Sequence, residues 1–126
     1  MTSFAMSLDE VLTYCLAKPG AWRDEPWGDG VVAKVGTRIF VSLRPVGVPG
    51  EAEGVGVKCG VDRDQADEWL TRYPHDAAPS PHVGRFGWNS LAIGGAIPDE
   101  EILAAVDASY AMIVSKLPKK DRPAAA

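Results

Sequence analysis

Apolar residues recur along the chain with two different periods. Leu8, Val11, Leu12, Cys15 and Leu16 stand at i, i+3, i+4, i+7 and i+8, the spacing of one stripe on a helix. Ser7 and Glu10 fit a capping box, in which each side chain satisfies a backbone N–H of the other residue. Lys18-Pro19-Gly20 predicts the stop, because proline disfavours helix at the residue before it. From Val31 the period changes. Val31–Val35 and Thr37–Leu43 are rich in β-branched residues and flank Gly36-Thr37, which predicts a hairpin with glycine at the φ > 0 position of the turn. Strict alternation on the second strand would send Thr37, Ile39, Val41 and Leu43 toward the helices, and Arg38, Phe40, Ser42 and Arg44 the other way. Val55–Cys59 predicts a third strand that buries Val55, Val57 and Cys59 and exposes Lys58.

A second helix is expected from about Asp62, with Gln65 as capping partner, carrying Ala66, Trp69, Leu70 and Tyr73 and ending at Pro74. Trp88–Ile93, closed by Gly94-Gly95, predicts a fourth strand. The last helix opens at Pro98, with Asp99, Glu100 and Glu101 in its first turn, where acids suit the helix dipole. Ile102, Leu103, Val106, Tyr110, Ile113, Val114 and Leu117 form its stripe, and Pro118 stops it. Three segments read as connections. Residues 21–30 form a loop in which Trp22 and Trp27 cover an end of the core. Residues 45–54 form a flexible loop or wing, and residues 74–87 form a long loop that is either functional or held by its own packing. Residues 119–126 read as a disordered tail. The order α-β-β-β-α-β-α with short connections predicts an α+β fold. It is a two-layer sandwich of one antiparallel sheet with helices packed on one face, forming a single domain over residues 1–118.

Composition narrows the function classes. With 46% hydrophobic and 24% charged residues, the chain is neither disordered nor a disulfide scaffold. No stretch approaches the roughly 20 apolar residues that span a bilayer. Residues 1–6 lack the basic and apolar regions of a signal peptide. Cys15 and Cys59 then read as reduced thiols, and the expected location is cytoplasmic. The formal net charge of -4 argues against binding nucleic acid by bulk positive charge. The charges are unevenly spread, however. Residues 31–50 hold Lys34, Arg38 and Arg44 and no acid, and Lys58 follows on the third strand. A locally basic sheet face with Phe40 among the charges would suit phosphate or an acidic partner, with an aromatic available for stacking. The same alternation also fits an ordinary solvated antiparallel face.

Chemistry beyond charge is sparse. His82, Arg85, Trp88 and Asn89 are the candidates for lining a pocket, and Trp69 reads as core. Cys15, Cys59, His75 and His82 match no zinc spacing. No G-x-S-x-G elbow, P-loop or G-x-G-x-x-G fingerprint is present. The expectation is therefore no enzyme, no metal and no cofactor.

Several segments in order resemble the MmcQ/YjbR family. They are Cys15–Ala21 (CLAKPGA), Trp27-Gly28 followed by Lys34–Phe40 (KVGTRIF), Val57-Lys58-Cys59, Pro81–Ser90 (PHVGRFGWNS), Pro98–Glu101, Ser109-Tyr110 and Leu117–Lys120. The likeness covers about residues 7–120. It implies a small cytoplasmic bacterial domain without established catalytic activity, whose fold is similar to a double-wing DNA-binding domain and to secretion chaperones. The leading expectation is a binding module that holds DNA weakly and salt-sensitively through Lys34, Arg38, Phe40, Arg44, Lys58 and Arg85. The alternatives are a protein-interaction or secretion-chaperone-like module with an acidic protein partner, and a small-ligand binder around His82, Arg85 and Trp88. Either a monomer or a dimer is compatible with these readings.

Overall fold

Ser7 caps the first helix as the sequence predicts: its Oγ accepts from the Glu10 N–H at 3.1 Å, and the Glu10 carboxylate accepts from the Ser7 N–H at 3.0 Å. A computed structural model describes residues 6–26, 28 and 30–123. Helix α1 spans Leu8–Leu16 and buries Leu8, Val11 and Cys15. Strands β1 (Ala21–Asp24), β2 (Val32–Val35), β3 (Arg38–Leu43) and β4 (Gly54–Lys58) follow, then helix α2 (Arg63–Arg72), strands β5 (Ala77–Pro79) and β6 (Trp88–Ala92), and helix α3 (Asp99–Lys116). Gly36 makes the tight turn between β2 and β3 at φ 59°. The six strands form one wholly antiparallel sheet in the order β1-β2-β3-β4-β6-β5. The α+β class and the layering are those expected, with a strand added at each edge of the sheet.

Both added strands are short. β1 lies in the expected 21–30 loop, and β5 lies in the expected 74–87 loop. β5 ends on Pro79, which suits an edge, where a missing N–H costs no ladder bond.

One face of the sheet carries the core. Ala33, Val35, Val41, Val55, Val57 and Leu91 are fully buried there, against α1 and α3. Phe40 is also buried on that face, contrary to the alternation. The β2–β3 register steps from Ala33↔Val41 to Lys34↔Ile39, so Phe40 is the extra residue of a β-bulge. A bulge inserts one residue and resets which side chains face which way. Phe40 therefore packs its ring edge-on against Tyr110 of α3, with centroids 5.2 Å apart and planes at 81°. Ile39 takes the opposite face in its place.

The helices are tied to the sheet by buried polar contacts and to each other by exposed ones. Ser109 of α3 donates to the Phe40 carbonyl at 2.6 Å and accepts from the Lys58 N–H at 3.0 Å. The buried Asn89 of β6 donates to the Ala66 carbonyl of α2 at 2.9 Å. Tyr14 of α1 donates to Asp107 of α3 at 2.8 Å. Asp62 caps α2 by accepting from the Asp64 N–H at 3.0 Å, without the expected Gln65 partnership.

Other expectations are corrected locally. Residues 45–54 fold back on the sheet: Val48 is buried, Pro45 lies over Gly56, and Ile93 donates to the Glu53 carbonyl at 2.9 Å. Lys119–Asp121, expected in a disordered tail, form a 3-10 turn, and Arg122 donates to the Leu117 and Ser115 carbonyls at 3.0 Å. The expectations for Trp27 and for residues 1–5 and 124–126 lie outside the described residues.

Candidate functional site

The sheet face opposite the helices carries the candidate site. Because strands alternate, Trp22, Lys34, Ile39, Ser42, Lys58 and Trp88 share that face across β1, β2, β3, β4 and β6. Loops cover its middle and one side, since Pro45 lies over Gly56 and Val48 over Gly54. What stays open is a groove of about 680 Å³ running toward the C-terminal end of α3. Its apolar lining comes from Ile39, Val83, Phe86, Trp88 and Ile113, and its cations are Lys34, Arg38, Lys58 and Lys116, with no carboxylate in the lining among the described residues. A second depression of about 510 Å³ adjoins it and shares Ser42, Val83 and Trp88 as the divide.

The four cations differ in how far they are already neutralised. The Lys34 ammonium sits 2.8 Å from the Asp24 carboxylate and 5.0 Å from the centre of the Trp22 ring. The Lys34 hydrogen bond holds the Asp24 carboxyl below the usual range. Trp22 in turn donates its indole N–H to the Gly36 carbonyl at 2.9 Å. It is 43% exposed and stands on the open face instead of covering the core.

Lys58 corrects a second expectation. The residue is 3% exposed, and its ammonium donates to the Phe86 carbonyl. Burial lowers its pKa from the ordinary lysine value, and the nearby Lys116 lowers it further, against a partial offset from Asp62. A cation held by a neutral carbonyl beside a second cation is under-compensated, and an arriving anion would relieve it. Arg38 is exposed at the mouth of the groove, and neither it nor Lys116 makes an ion pair among the described residues.

The remaining expected residues are dispersed. Phe40 is in the core and cannot stack a ligand. Arg44 lies beyond the divide, paired to Glu53 at 3.0 Å. Arg85 lies over the Phe86 ring at 4.8 Å and lines a different depression with His82 and Arg63. The four expected pocket residues are likewise not one pocket. His82 and Arg85 share that depression, His82 and Trp88 both line the one of about 510 Å³, Trp88 also lines the main groove, and Asn89 is fully buried beneath the sheet. The groove residues that the sequence reading missed are Ile39, Phe86, Val83 and Lys116. The bulge hides Ile39, and the fold alone brings the end of α3 to β4.

The segment before β6 is fixed in place by its neighbours. Arg63 donates to the Gly84 and Trp88 carbonyls at 3.0 and 3.2 Å, and Asp67 holds its other edge. Cys59 N–H donates to the Gly87 carbonyl at 2.7 Å. Gly87 has φ 86°, and a Cβ there would lie 2.0 Å from the Gly60 carbonyl oxygen. Only glycine fits, and this position aims Phe86 and Trp88 at the groove. Burial pushes both thiols, Cys15 and Cys59, up to about 12, which disfavours the thiolate needed of a nucleophile.

These features define a small α+β domain, with helices on one side of an antiparallel sheet and a cation-rimmed, apolar-floored groove on the other. The YjbR family model matches residues 16–112. The proteins named YjbR of Escherichia coli K12 and O157:H7, both described as uncharacterised, are 31% identical over 119 residues, covering 93% of this chain and 95% of theirs. The chain therefore belongs to the YjbR family. Its fold is shared by Deinococcus radiodurans protein DR2400, of domain family DUF419. The TM-score is 0.77 at 22% identity, covering 92% of this chain and 85% of that one. Among the described residues, no helix is long and apolar enough to cross a membrane.

Proposed function

We propose that the chain is a binding module without chemistry of its own, and that it holds an anionic partner in the groove on the open face of its sheet. One observation carries the reading. In a chain of net charge -4, four cations line this groove, and among the described residues no carboxylate does. Field lines from a concave, low-dielectric wall concentrate on a charged ligand more than those from a flat surface do. The apolar floor adds desolvation and contact area, as small binding sites generally do.

DNA is the second reading, supported by the acid-free run from Val31 to Gly50. With Phe40 in the core and Arg44 and Arg85 outside the groove, only Lys34, Arg38, Lys58 and Lys116 remain to meet phosphates, and Lys34 already has a partner. The counterion-release term is correspondingly small. Binding of a DNA oligonucleotide should then be weak, lost by moderate salt, and abolished by Arg38→Glu with Lys116→Glu. A mobility shift at low salt checks this. Retention of the shift by that double variant would place the DNA contact elsewhere and remove the groove from the account.

A further inference from the structure

The distribution of charge within the groove says what kind of anion fits it. The cations without an acidic partner among the described residues are few: Arg38 stands at the mouth, and Lys116 lies close enough to Lys58 to help lower its pKa. Past Trp88 and Ser42 the trough continues, but the cation there, Arg44, is already paired with Glu53. A nucleic-acid strand needs cations repeated along its path, one set per phosphate, beside its stacking aromatics. Here one small set of cations stands beside an apolar floor of Ile39, Phe86 and Trp88, with Lys58 directly across the strands from Trp88. A volume of about 680 Å³ lies within the range of a small-molecule site.

We infer that the groove takes a small organic anion: a flat apolar or aromatic body with a single carboxylate, phosphate or sulfate head. The inference rests on the anion-binding reading above and names its ligand class. The head meets Arg38 and Lys116, with the Lys58 ammonium behind it. The body lies across Ile39 and against the faces of Trp88 and Phe86. Phe86 is 49% exposed, so its ring keeps free surface for a ligand body beside the Arg85 guanidinium that lies over it. The Phe86 carbonyl also holds the Lys58 ammonium, so one residue supplies both an apolar wall and an anchor for the cation. Charge and shape thus select together. A bare anion leaves the floor wet, and a neutral ring leaves the cations unmet.

Calorimetric titration of the full chain with 2-naphthyl phosphate, 2-naphthol, inorganic phosphate and a short single-stranded DNA tests this. The expected result is binding of 2-naphthyl phosphate at least about tenfold tighter than either fragment, the size of one charge-assisted contact. Arg38→Glu and Lys116→Glu should each weaken it by about tenfold or more. Arg44→Glu changes the net charge equally from outside the groove and should leave it unchanged. Equal binding of inorganic phosphate would overturn the small-ligand inference and leave the anion site standing. Binding of the DNA strand without the naphthyl phosphate would do the same. Equal weakening by Arg44→Glu would overturn the inference as well, showing only a diffuse field. Absence of binding by every anion would overturn both readings.

Discussion

At Phe40, a single inserted residue decides what the surface offers. Read as a regular strand, β3 presents an aromatic to solvent between Arg38 and Ser42. The bulge turns Phe40 into the core against Tyr110 and puts Ile39 on the groove floor. Nothing in the local pattern separates these cases, because a bulge is recognised by its pairing partner and not by the bulged strand's own alternation. Phe40→Ala should therefore act as a core truncation and cost about 3–5 kcal/mol, read as a lower midpoint in urea unfolding. An exposed stacking residue would instead leave stability nearly unchanged. Lys58 shows the same limit of legibility. Alternation correctly places it on the face opposite Val57, but burial there depends on Phe86, 28 positions away. Trp88 was legible as a candidate because it follows the long loop. Asn89, its neighbour in sequence, necessarily points to the other face.

Among the elements, those with strong local signals lie where the sequence puts them. α1 begins at its capping box, and α3 runs from Pro98 to the turn before Pro118. The two edge strands were not legible. β1 and β5 have four and three residues and include Trp22, Arg23, Asp24 and Pro79, a composition without alternation that becomes strand only because β2 and β6 offer free edges. The long 74–87 connection thereby holds a short edge strand and an anchored turn. Its anchoring by Arg63, Cys59 and Gly87 explains how the exposed Phe86 and the half-buried Trp88 can keep a fixed direction. Gly87→Ala combines a left-handed backbone, worth about 1–3 kcal/mol on its own, with a Cβ driven into the Gly60 carbonyl. The variant should lose thermal stability and also ligand affinity, since Phe86 and Trp88 shift with the turn. A variant of unchanged melting temperature would show that this segment is not rigidly held.

For the whole molecule, the net charge of -4 conceals a division of labour between the two faces. Most of the acids lie on the helices and their ends, where Asp107 and Glu101 hold helix to helix through Tyr14, Lys18, Tyr73 and Arg72. Arg38, Lys58 and Lys116, which pair with no acid among the described residues, meet at the groove. The sequence discloses the basic hairpin but not the groove, because Lys116 and Phe86 reach it only through the fold. On the proposed reading the molecule binds through this groove. The most direct test is a two-dimensional 1H–15N NMR titration with 2-naphthyl phosphate. The account predicts amide shifts confined to residues 37–39, 58, 86–88 and 113–116, shrinking as salt is raised. Shifts centred on residues 44–53 or 80–85, with those groove amides unmoved, would contradict it.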